Sequence, residues 1–131
     1  MELVVTSQAL AAMRAAAAAA HPHEACGFLL GQGGQITEAR AARNVHPAPA
    51  THFEIDPQAL IDAHRTARAG GPEVVGYFHS HPSGPPVPSS TDRASASGDG
   101  RVWAIVSGEE VRFWQDGKQG FVALSFACRD G

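Results

Sequence analysis

Glu73-Val74-Val75-Gly76-Tyr77-Phe78-His79-Ser80-His81-Pro82 reads as an apolar run, rich in β-formers, that ends in two imidazoles. Side chains at i and i+2 of a strand share a face, so His79 and His81 can converge on one ion. Ser83 to Asp92 follows as a stiff, proline-rich connection, with Ser89 and Asp92 toward its end. His79, His81 and Asp92 then offer three ligand groups. Three protein ligands plus a water is the pattern of a catalytic zinc, which keeps one position open. A structural zinc closes its fourth position with protein, often thiolate, and no cysteine lies near this segment. Taken alone, the segment also permits a plainer account. A His-x-His pair is common, Ser89 suits a helix N-cap, and Asp92 suits a first helical turn where its charge meets the dipole.

Working outward, composition removes several classes. At 131 residues the chain fits one domain, residues 1–131, with room for a core. It is too short for a (β/α)8 barrel metallohydrolase, which needs about 250 residues. A net charge of −3, one tyrosine and no basic cluster give no nucleic-acid surface. Cys26 and Cys128 are far apart in apolar surroundings, which suits two reduced core thiols. Their spacing rules out a CxxC zinc site, and the H-x-E and P-C-x-x-C pair of a zinc deaminase is missing. A cupin-type metal barrel needs a glutamate soon after His81, and Pro82 to Pro88 contains none. The run Ala15 to Ala20 is helix filler, not the core of a signal peptide, because alanine is the best helix former and Glu2 stands where a basic segment is required. No stretch is apolar and long enough to span a membrane, so a cytoplasmic location is expected by default.

The remaining elements follow from local signals. Glu2–Thr6 is a first strand and Ser7 to about Ala20 a helix capped by Thr6 or Ser7. Ala25–Gly31 and Gln35–Arg43 form a hairpin across Gly31-Gln32-Gly33-Gly34. Thr51–Ile55 is a short strand, then Asp56 caps a helix with Pro57 at its first position and Gly70-Gly71 at its end. After the strand Glu73–His81, Asp92–Ser97 is a short helix, and Val102–Ser107, Glu110–Gln115 and Phe121–Phe126 are closing strands. Mixed helices and strands predict an α+β, three-layer α/β/α-like architecture with a mixed sheet.

His-x-His, seven residues, Ser, two residues, Asp resembles the signature of the JAMM (MPN-plus, Mov34/PAD1-type) metalloproteases. Upstream, Glu24-Ala25-Cys26-Gly27-Phe28-Leu29-Leu30-Gly31 is similar to the glutamate-bearing strand of their small bacterial members, and Phe53-Glu54-Ile55-Asp56-Pro57 to their middle strand. The resemblance spans about residues 1–125. It implies the MPN/JAB fold, related in shape to cytidine deaminase. It implies one Zn2+ held by His79, His81 and Asp92, Glu24 as general base and Ser89 as the oxyanion donor. Residue chemistry alone does not choose Glu24 over Glu54 or Glu73. The implied reaction is hydrolysis after the C-terminal Gly-Gly of a ubiquitin-like protein, with a sulfur carrier of the ThiS/MoaD kind, or its conjugate, as the expected substrate. Short peptides or small amides are an alternative substrate class. A metal-binding scaffold without activity is the non-enzymatic alternative. It fits less well, since the signature positions are all kept. His21 and His23, a second His-x-His beside Glu24, are expected to be exposed. His46, His52 and His64 are expected at the surface or partly packed, and Cys26 as a small buried apolar residue.

Overall fold

The computed structural model describes residues 2–131. Strand β1 (Leu3–Thr6) runs directly into helix α1 (Ser7–Ala20), and Thr6 Oγ1 accepts from the Ala9 amide at 3.1 Å as the cap. Strands β2 (Cys26–Gln32) and β3 (Gln35–Ala42) make the expected hairpin. Helix α2 (Pro57–Arg68) starts at the Asp56 cap, followed by β4 (Glu73–Ser80) and the short α3 (Ser90–Ser95). Strands β5 (Val102–Ser107), β6 (Glu110–Gly117), β7 (Gly120–Leu124) and β8 (Phe126–Arg129) complete the order.

These strands form one mixed sheet ordered β7-β6-β5-β4-β2-β3-β1-β8. Helix α1 covers one face. Its apolar positions Ala9, Leu10, Met13, Ala16 and Ala17 recur at helical spacing and meet Leu29, Val75, Phe78 and Phe113. Helix α2 covers the other face, where Ala63 and Leu60 pack on Phe28, Leu30 and Val74. The layers are the expected α/β/α arrangement of an α+β fold.

The short helix α3 opens two residues before the expected Asp92–Ser97, and two further elements differ in kind from expectation. Phe121–Phe126 is not one strand: it breaks at Ser125, with β7 on one sheet edge and β8 on the other. A single residue joins the two edges, so the sheet must curl until they meet. Leu3 N–H donates to the Ser125 carbonyl at 3.0 Å, and the Phe113 and Phe126 rings sit edge to face at 4.8 Å. The second is Thr51–Ile55, which keeps only an isolated bridge from Ile55 to Asn44. Its backbone groups are taken by the Asn44 side chain: Oδ1 accepts from Glu54 N–H at 3.0 Å, and Nδ2 donates to the His52 carbonyl at 3.0 Å. Cys128 is also exposed on β8, not a core thiol, whereas Cys26 is buried as expected.

An irregularity in β4 sets which face the histidines occupy. Leu30 pairs with Val74, but Leu29 pairs with Gly76, so Val75 is an extra residue in the ladder. Val75 therefore joins the α1 core while Tyr77 and His79, opposite Phe28 and Cys26, share the α2 face with Val74. Were the strand to alternate regularly from Val74 with no bulge, His79 would fall on the α1 side. Gly76 belongs to this bulge, and a Cβ there would run into the Val102 carbonyl of β5. Gly76→Ala is expected to lower the urea midpoint, with a stability loss of at least about 3 kcal/mol, because the obstacle is backbone. A midpoint equal to wild type would show that the β4–β5 spacing does not depend on this glycine.

Candidate metal centre

Strand β4 ends one residue before His81, whose N–H still bonds to the Val106 carbonyl of β5 at 2.8 Å. His79 and His81 thus leave the sheet on one face. Asp92 reaches them from α3. Its helix opens with a capping box in which Ser89 Oγ accepts from Asp92 N–H at 3.1 Å and Ser89 N–H donates to Asp92 Oδ2 at 3.0 Å. The aspartate serves the cap and faces the histidines at once. His79 Nε2, His81 Nε2 and Asp92 Oδ2 form a triangle with sides of 3.1 Å. Ligands bonded at about 2.0–2.2 Å to a tetrahedral zinc lie about 3.3–3.6 Å apart, so this triangle needs only small adjustment to hold one.

The tautomers make the same point. His81 Nδ1 lies 2.8 Å from the Pro85 carbonyl, which only accepts, so Nδ1 carries a proton, and the neutral ring keeps its Nε2 lone pair for the triangle. Burial pushes the His79 imidazole toward its neutral form against the pull of Asp92. Burial works against ionised Asp92 too, but the imidazoles of His79 and His81 beside it and the bond donated by the Ser89 amide hold its carboxyl far below the usual range. Two imidazole nitrogens converging on a carboxylate are a candidate cation site, and the N,N,O donor set suits a divalent transition metal.

Two aromatic residues that sequence patterns did not single out for the site fix His79. Phe53 stacks on its ring at 4.4 Å, and Trp103 meets it edge-on at 5.7 Å. The family-like segment around Phe53 was the one available hint, and Trp103 carried none. Asn44 was also missed: its Nδ2 donates to the Glu24 carbonyl at 3.1 Å and so ties the Phe53 segment to the start of β2.

Glu24 stands two residues before Cys26, which pairs with His79 in register, so its side chain shares the histidines' face. It is 6% exposed and lines a cleft of ≈ 330 Å³ with Thr51, His81, Pro85, Val87 and Ser89. Burial raises its carboxyl from 4.5 to about 7; the nearby His81 opposes the rise and Asp92 adds to it. Glu54 and Glu73, which residue chemistry left open, are exposed; Glu54 borders a different cleft and Glu73 lies at the far end of β4. Ser89 Oγ accepts the Asp92 amide, which leaves its own proton free to donate into the cleft. His21 and His23 are exposed, as expected, and His46, His52 and His64 are partly packed. Burial and the charge of Glu24 push the Cys26 thiol up to about 12, which removes it as a nucleophile.

Residues 6–117 match the model of the family described as prokaryotic homologs of the JAB domain. The chain belongs to this family. It is 38% identical over 96 residues to a desampylase of Haloferax volcanii, covering 72% of this chain and 69% of that protein. It is 35% identical over 79 residues to a probable TtuB-protein conjugate cleaving protease of Thermus thermophilus, covering 60% of this chain and 48% of that one. Among solved structures, a protein from Desulfitobacterium hafniense superposes with a TM-score of 0.83 at 28% identity, covering 98% of this chain and 94% of that one. The JAB-family protein is a hydrolytic enzyme of the JAMM type. Among the described residues, no helix is long and apolar enough to cross a membrane.

The raised Glu24 carboxyl has a stability consequence in metal-free protein. The folded chain keeps a proton between pH 4.5 and about 7 that the unfolded chain has released, so folding is disfavoured as pH climbs through that window. The full penalty above the window is about 3 kcal/mol, at about 1.4 kcal/mol per pKa unit. Metal-free Glu24→Gln should therefore gain on wild type from pH 5 to 7 and hold the gain above it, measured by urea unfolding. A gap that does not vary with pH would exclude a strained Glu24 carboxylate.

Proposed function

We propose that this enzyme is a zinc isopeptidase that cleaves after the C-terminal Gly-Gly of a ubiquitin-like protein. The observation that carries the reading is the triangle of His79, His81 and Asp92, which meets through His81 a cleft also lined by buried Glu24. His79 Nε2, His81 Nε2 and an Asp92 carboxylate oxygen would hold Zn2+. Zinc so held would supply a Lewis acid and would lower the pKa of a bound water to about 7. Glu24 takes a proton from the attacking water and returns it to the leaving amine, and a carboxyl near 7 is matched to that exchange at neutral pH. The Ser89 hydroxyl donates to the carbonyl oxygen as negative charge grows there. Phe53 and Trp103 exclude water from one side of His79 and keep its ring oriented.

Desampylase and conjugate-cleaving relatives support a ubiquitin-like protein conjugate as the substrate. Within that class we favour a sulfur carrier of the ThiS/MoaD kind, either extended beyond its glycines or joined through them to another protein. A flexible glycine pair leaves room for backbone to approach the cleft floor. We take residues 1–131 as one catalytic domain and place it in the cytoplasm, where the unpaired Cys26 and Cys128 remain reduced.

Zinc-loaded wild type should cleave such an extended carrier after its glycines, read by intact mass. Glu24→Gln should keep zinc and lose cleavage, and Ser89→Ala should keep zinc with turnover lowered roughly 10²-fold. Full turnover by Glu24→Gln would remove it as the base. His79→Ala and Asp92→Ala should lose zinc by metal analysis. Wild-type occupancy in either would overturn the ligand set. A folded, zinc-loaded enzyme that leaves the carrier intact but cleaves short peptides would reassign the substrate.

A further inference from the structure

The turn Gly84-Pro85-Pro86, which follows His81, is held in an unusual way. Pro85 and Pro86 lack N–H groups, so the turn cannot join a backbone ladder and its carbonyls are its main handles. Three successive carbonyls each find a donor from a different element. The Ser107 hydroxyl, at the end of β5, donates to the Gly84 carbonyl at 2.6 Å. His81 Nδ1–H donates to the Pro85 carbonyl at 2.8 Å. Trp114 Nε1–H, from β6, donates to the Pro86 carbonyl at 3.2 Å. Gly84 has φ +113, a conformation that frees its carbonyl to turn toward β5. Pro86 is buried, so the turn is seated on the sheet rather than trailing in solvent.

We infer that Ser107 and Trp114 are positioning residues for the metal site: they clamp the carbonyls on either side of Pro85, so that the Pro85 carbonyl holds His81 as its Nδ1–H tautomer with the Nε2 lone pair aimed at the ion. The inference rests on His81 being a metal ligand. Neither residue touches the triangle of ligand atoms. They act through one peptide unit, fixing the direction of the carbonyl that fixes the imidazole. The register of the sheet makes the device compact. Trp114 pairs with Trp103, whose ring steadies His79, and Ser107 follows Val106, whose carbonyl holds the His81 amide. One β5–β6 segment therefore orients both imidazoles from behind.

The test uses the full chain without metal and then with Zn2+ alone. Nitrogen chemical shifts of the ¹⁵N-labelled His81 ring report the tautomer, and competition with a chelator reports zinc affinity. At a pH where the ring is neutral, wild type should show His81 with its proton on Nδ1. Ser107→Ala/Trp114→Phe should show mixed tautomers and a zinc Kd raised roughly 10–100-fold while still melting cooperatively. Each single variant should move both readouts part of the way, and Ser107→Thr, which keeps the hydroxyl, should restore them. If the double variant fails to fold, the singles carry the test, because Trp114→Phe keeps an aromatic ring and Ser107→Ala removes one oxygen. Variants that bind zinc as wild type does, with His81 still protonated at Nδ1, would overturn the clamp. His81→Ala separates the two levels: if it loses zinc while the clamp variants do not, only the clamp falls. If it binds zinc normally, the ligand assignment falls and the clamp with it.

Discussion

Three atoms able to bind a metal, His79 Nε2, His81 Nε2 and Asp92 Oδ2, are held 3.1 Å apart. The Pro85 carbonyl keeps a proton on His81 Nδ1, so the neutral His81 ring turns its Nε2 lone pair toward the other two groups. Such a cluster persists only where the surrounding fold over-determines each member, and where a cation completes it. Much of the architecture near the site follows from this requirement. Phe53 and Trp103 hold one imidazole, the proline turn holds the other, and a helix cap holds the carboxylate.

The cap shows how a local rule and a functional one coincide. Ser89 and Asp92 form a capping box, which alone would explain both residues. The same hydrogen bond from the Ser89 amide that closes the box also stabilises the ionised Asp92 beside the histidines. The helix N-terminus is therefore a rigid mount for a charge that must point inward. Ser89 contributes its oxygen to the cap and keeps its proton for the cleft, so neither role excludes the other.

Glu24 is governed by a different balance. Burial costs its carboxylate solvation, and the neighbouring imidazole only partly compensates, so the group sits near neutrality in its proton affinity. Asn44 secures this arrangement from below, joining the Glu24 carbonyl to the segment that carries Phe53. That segment gives up strand pairing to do so. The departure from the expected strand at Thr51–Ile55 is thus where the fold links its base to the ring packed on His79.

The convergence of His79 and His81 was legible from i, i+2 spacing along a strand, whereas Ser89 and Asp92 read locally as a helix start and were joined to the histidines by the family-like spacing. The helices at Ser7–Ala20 and Pro57–Arg68 were equally legible, since alanine propensity, Thr6, Asp56 and Pro57 act within a few residues. Glu24 stood out only through family resemblance, because no local rule marks one glutamate among several. Three features needed the tertiary structure. Val75 becomes an extra residue only when β4 is laid against β2, and that count decides the face on which His79 emerges. Ser125 breaks its strand only because the curled sheet brings two edges together there. Trp103, Trp114 and Ser107 reach the histidines across paired strands, a proximity created by ladder register between segments whose separation along the chain carries no trace of it.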